Sequence, residues 1–141
     1  MIEAKHFKLE ELIDKDSFGS YGHDAWNLFS HDAIYMIDGI REFFGKPVTV
    51  NNWLWGGNLQ YRGYRPPHCT VGAPNSYHRR GQAFDFDVKG MAAEEARRHI
   101  IENQYDPLLI WIERLEGGTS WVHADTALLH DGKKRIYLFN P

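Results

Sequence analysis

The sequence has a single cysteine, Cys69, among 141 residues. That excludes an intramolecular disulfide and any metal site built from several thiolates. Long apolar runs are also missing: the most apolar stretch, Pro107 to Ile112, is cut off by Glu113 and Arg114, well short of the ~18 residues that cross a bilayer. The chain is therefore expected not to be membrane-embedded. There is no excess of positive charge, with 16 Lys and Arg against 19 Asp and Glu, so nucleic acid is not an expected partner. Met1 to Leu12 interleaves charged residues with Phe7, Leu9 and Leu12 and lacks the apolar segment of a signal peptide, which points to synthesis in the cytoplasm. Repeats, low-complexity tracts and Ser/Gly linkers are absent, and the length suits one domain over 1–141. What the chain does have is eight histidines and five tryptophans, and the chemistry is to be sought among them.

Trp26, Phe29, Ala33, Ile34, Met36, Ile37, Ile40, Phe43 and Phe44 recur at spacings of three and four. This predicts one core helix with Asp24 available as its N-cap and Gly45 just past its end. Pro47 to Asn51 reads as a short strand, and Trp53 to Ser76 is too rich in Gly, Pro, Asn and Arg for a regular element. A loop of that length in a small domain usually has a function. Ala83 to Val88 reads as a strand and Ala92 to Asn103 as a surface helix. Leu108 to Leu115 and Trp121 to Asp125 read as strands joined around Gly117 and Gly118, with Arg135 to Phe139 as a last edge strand. Short connections there and at Asp131–Gly132 favour hairpins, so the expectation is an α+β domain with a mostly antiparallel sheet packed on helices.

Strand alternation puts Ala83, Asp85 and Asp87 on one face and Phe84, Phe86 and Val88 on the other. The phenylalanine face belongs to the core, which turns the aspartates to a cleft or to solvent. His78 lies across a turn eased by Gly81, so its ring can return to the side of Asp85. A histidine nitrogen and a carboxylate oxygen suit zinc but leave it short of ligands. In Trp121-Val122-His123-Ala124-Asp125 the same alternation places His123 and Asp125 on one face. Two histidines and one aspartate leave a tetrahedral position open for water, as catalytic zinc requires. Asp87 is read as solvated or as orienting one of the histidines.

Ser76, His78, Gly81, Ala83 and Asp85 form a Ser-x-His-x-x-Gly-x-Ala-x-Asp motif, followed by Trp-x-His-x-Asp at Trp121, His123 and Asp125. Together they resemble the M15 zinc peptidases, which include D-Ala-D-Ala carboxypeptidases and phage endolysins and share the fold of the hedgehog signalling domain. Upstream, Gly63-Tyr64-Arg65 and His68 resemble the Gly-Tyr-Arg segment of that family, so the likeness runs from about Phe7 to Asp125. It implies a hedgehog/DD-peptidase-like fold, with zinc held by His78, Asp85 and His123. It also implies a peptidoglycan stem peptide as substrate, bound through Arg65, Ser76 and Tyr64, with Arg65 on the substrate carboxylate or the developing oxyanion.

The sequence departs from many members of that family at one point. They carry a glutamate three residues before the last histidine as general base, and here that position is Ser120. Asp125 is the best substitute, unless it only orients His123. Glu113 and Glu116 are the other carboxylates near His123, and the strand register that would choose between them is not fixed by sequence. The reading is a zinc peptidase cutting stem-peptide amides, as carboxypeptidase or endopeptidase, and resembling an endolysin that would act on the wall from the periplasmic side. The alternative is a zinc-binding wall or virion module of the same fold that does not cut.

Overall fold

In the computed structural model, which describes residues 1–127 and 136–140, the apolar spacing of the first third folds as two pieces rather than one helix. After helix α1 (Lys15–Tyr21), Gly22–Leu28 is a 3-10 turn that contains Asp24, and α2 spans only His31–Phe44. The break falls at Phe29, whose backbone is extended at φ −100° and ψ 144°. It is followed by Ser30, whose Oγ accepts from the Ala33 amide at 3.2 Å and caps α2. Trp26 and Phe29 still face the core, which is why their spacing looks helical when the backbone is not. At the other end Gly45 takes the left-handed conformation, as expected.

The five strands are β1 (Val48–Thr49), β2 (Ala83–Val88), β3 (Arg114–Glu116), β4 (Val122–Asp125) and β5 (Tyr137–Phe139), in the order β1-β2-β4-β3-β5. Three of the pairings are antiparallel, while β5 runs parallel to β3. β3 therefore lies between β4 and β5, which are not paired with each other; Asp131, Gly132 and Arg135 lie outside the described residues. The apolar run before β3 is not a strand either. Asp106 accepts from the Leu108 amide and Pro107 opens a 3-10 turn over Pro107–Leu109, so Leu109 and Ile112 are buried while Ile110 and Trp111 are exposed.

Phe84 and Phe86 of β2, Val122 and Ala124 of β4 and Leu115 of β3 form the inner face of the sheet. They bury with Ile34, Ile37 and Ile40 of α2 and with Ile100 of α3 (Ala93–Glu102). Burying a side chain of this size stabilises by about 1.5–3 kcal/mol, which fixes which sheet face is left for chemistry. The irregular segment between β1 and β2 is held by polar bonds instead. Asn51 is buried, donates to the Ile13 carbonyl and accepts from the Arg62 amide. The Arg79 guanidinium donates to the carbonyls of Pro66, Pro67, Cys69 and Ala73. The Tyr64 amide donates to the Leu12 carbonyl, which moors the middle of the segment. Among the described residues no helix is long and apolar enough to cross a membrane.

Candidate active site

Register brings the two motifs together. Asp85 on β2 stands directly opposite His123 on β4, and both side chains leave the sheet on the face away from the phenylalanines. His78 sits on a 3-10 turn (Tyr77–Arg80) that Gly81 reverses with φ +66°. A Cβ at Gly81 would strike the Leu28 carbonyl, so only glycine lets this turn seat against the loop before α2. His78 Nε2 lies 3.2 Å and His123 Nδ1 2.8 Å from the same oxygen, Asp85 Oδ1. All three residues are buried, and one ligand atom from each falls within 4.8 Å of the others.

The outer nitrogens of both rings are already used. The Gly63 carbonyl accepts from His78 Nδ1 at 2.9 Å, and Asp125 Oδ2 accepts from His123 Nε2 at 2.8 Å. A neutral His78 and a neutral His123 therefore turn nitrogen lone pairs onto a carboxylate oxygen, an arrangement that only a positive charge among them relieves. Two imidazole nitrogens and one carboxylate oxygen are a donor set for zinc, and the residues fit it. Without a metal, a proton takes that place. Burial pushes the His123 ring toward neutrality, but its hydrogen bonds with Asp125 and Asp85 outweigh this and raise its pKa to about 9. Burial likewise works against the Asp85 carboxylate, and the bonds with His123 and His78 hold it well below the usual range.

Asp125 is fully buried, and both of its oxygens are taken. Arg114 Nε donates to Oδ1 at 3.0 Å and Nη2 to Oδ2 at 2.8 Å, while His123 takes Oδ2 and the Ala127 amide takes Oδ1. Asp125, expected as the base, is not among the residues that line the cleft and is bonded to the far nitrogen of the His123 ring. The Arg114 guanidinium is itself stacked over the rings of Tyr77 and Phe139, at 4.9 and 4.4 Å. Nothing in the sequence reading pointed to Arg114; its alternation with Leu115 and Glu116 on a short strand was the available sign.

A cleft of about 570 Å³ opens over His78, Asp85 and His123, lined also by Arg65, Ser76, Glu116, Trp121 and Phe139. This is room for a short peptide segment. Arg65 Nε donates to the Tyr61 carbonyl at 2.7 Å and Nη2 to Asp85 Oδ2 at 3.2 Å. Burial lowers its pKa, partly offset by Asp85. Its other terminal nitrogen lies against Gly72, where any Cβ would collide with it. Ser76 Oγ is buried in the cleft wall with no hydrogen-bond partner among the described residues. Tyr64 differs from the expectation: it packs in the core edge-on to Phe29 at 6.3 Å and lines none of the described pockets, so it supports the wall from behind. Asp87 is exposed and takes a two-pronged bond from Arg62. His68 joins Asp16 at 3.5 Å on the surface.

The register also separates the two glutamates. Glu116 is the Cα partner of His123 and shares its face, whereas Glu113 follows Leu115 in the alternation and pairs its amide with the Asp125 carbonyl. Ser120 is exposed in the turn before β4.

A comparison with curated proteins and another with solved structures each gave no match. A comparison with protein families matched the peptidase M15 model to residues 5–125, a span that contains His78, Asp85 and His123. The chain belongs to the peptidase M15 family.

Proposed function

We propose that this peptidase is a zinc enzyme that hydrolyses amide bonds of peptidoglycan stem peptides next to a D-amino acid. The observation that carries the reading is the convergence of His78 Nε2, Asp85 Oδ1 and His123 Nδ1 on one buried point in the floor of an open cleft. His78, Asp85 and His123 would hold the ion. Zinc bound there supplies Lewis acidity to the scissile carbonyl and makes water a nucleophile near neutral pH.

The other side chains have roles that follow from their bonds. The Gly63 carbonyl and Asp125 fix the two imidazole rings in the tautomers that a metal needs. Arg65, anchored by the Tyr61 carbonyl, keeps donors in the cleft for a substrate carboxylate or for the oxyanion that forms at the attacked carbonyl. The unpartnered Ser76 hydroxyl gains a bond when a peptide lies along that wall. Trp121 and Phe139 give the cleft apolar rims, which exclude water from the bound amide.

Such an activity suits an endolysin that meets the wall from the periplasmic side. The test is digestion of purified peptidoglycan with mass spectrometry of the released muropeptides, with and without a chelator. New amide-cleavage products that vanish on chelation and return with zinc are expected, and their masses identify the bond. Stoichiometric zinc with no cleavage of any stem peptide would instead mark a wall-binding module, a reading favoured by the serine at position 120.

A further inference from the structure

Peptide hydrolysis needs a proton acceptor on the cleft side of the metal ligands, and most carboxylates near them are committed elsewhere. Asp85 serves His78, His123 and Arg65. Asp125 is buried beneath His123 with both oxygens bonded. Ser120 offers only a hydroxyl, and it is exposed in the turn before β4. Glu116 is different. It is half-buried, lines the same cleft as the three ligands, and no hydrogen bond of its carboxylate is found among the described residues.

Its position is set by two ladders at once. Opposite His123 in the antiparallel β3/β4 pair, its Cβ lies about 4.5–5.5 Å from that of the histidine, on the sheet face that carries the cluster and lines the cleft. On its other side Glu116 is paired with Phe139, whose ring stands edge-on to His123 at 6.1 Å and over Arg114. The Glu116 side chain thus lines the cleft beside His123 and Phe139, within electrostatic reach of Arg65 and Arg114.

Resting on the zinc-peptidase reading, we infer that Glu116 is the general base, supplied by the neighbouring strand β3 rather than by the turn before His123. Its carboxylate takes a proton from water as the water oxygen bonds to the scissile carbonyl carbon. It returns that proton to the amide nitrogen as the C–N bond breaks, leaving a carboxylic acid and an amine.

The experiment compares wild type, Glu116→Gln, Glu116→Ala and Asp125→Asn, all zinc-loaded, on soluble muropeptides from muramidase-digested wall. Zinc stoichiometry, thermal unfolding, muropeptide affinity and turnover are measured for each. Both Glu116 variants should keep their zinc, fold and affinity while kcat falls by about 100-fold or more, and added zinc should restore nothing. Asp125→Asn should instead bind zinc more weakly, with turnover that follows its zinc occupancy. If wild type cuts and the Glu116 variants retain turnover within about threefold, the base assignment is overturned and the zinc-peptidase reading stands. If Glu116→Gln and Glu116→Ala both lose their zinc, Glu116 acts on the metal site and is not the base. A zinc-loaded wild type that cuts nothing overturns both.

Discussion

Asp85 and Asp125 point to the same side of neighbouring strands, and each is buried against the same histidine, yet only Asp125 is satisfied without an added proton or ion among the rings. Asp125 receives Arg114, His123 and a backbone amide. Asp85 receives one Arg65 bond and two ring nitrogens whose outer partners leave them no proton to offer when neutral. Buried polar networks are stable when every member is paired. A closed network is scaffold, and an open one at the bottom of a cleft is a site.

The largest effect that tests this contrast is expected from Asp85→Ala. The variant should retain no zinc after gel filtration and show no turnover, and metal analysis of the eluted protein checks it. Zinc held at full stoichiometry would mean that the histidines are not completed by Asp85. Next is Arg114→Leu, which leaves the fully buried Asp125 without its main cationic partner. Removing one member of a buried pair costs about 3–5 kcal/mol, to be read as a lowered urea midpoint; an unchanged midpoint would show that Asp125 is not held by Arg114.

Asp125→Asn should lower zinc affinity by about 10- to 100-fold, the usual cost of losing the partner that orients a ligating histidine, as measured by competition with a chelator of known affinity. Undiminished affinity together with lost turnover would return Asp125 to a direct part in the chemistry.

The smallest effect concerns pH in the metal-free protein. His123 has its pKa raised from 6.5 to about 9, so its contribution to stability is fully present below 6.5 and is lost as pH rises through about 9. Asp85 and Asp125 are lowered; their contributions are present above the ordinary carboxylate range and fade as pH falls. Chelated protein should therefore lose melting temperature between pH 6.5 and 9, and zinc-loaded protein should not, because the ion takes the place of the proton. Equal alkaline losses in both would show that the ion does not displace it.

Much of the site was legible in the sequence because β2 and β4 alternate cleanly. Phe84 and Phe86 had to face inward, which turned Asp85 outward, and Val122 and Ala124 did the same for His123. Other features depended on pairings that periodicity does not encode. Glu116 could be separated from Glu113 only once β3 had a register against β4. Tyr64 lies in a matching motif, but its packing against Phe29 depends on the fold of the distant N-terminal turn. The start of α2 was misplaced because Trp26 and Phe29 meet the core from outside the helix, and only the Ser30 cap shows where the backbone changes. The parallel placement of β5 had no local sign, since it follows from where the chain travels rather than from any turn residue.

The Arg79 bonds to Pro66, Pro67, Cys69 and Ala73 have a consequence for how this fold can change. Every acceptor in that set is a main-chain carbonyl, which any amino acid would supply. The course of the rim thus depends on one guanidinium, together with the buried Cys69 thiol that accepts from the Val71 amide. Val71, exposed on that rim and lining the cleft, can be exchanged to alter what the cleft admits, whereas Arg79 and the buried Cys69 are the residues such redesign must leave alone.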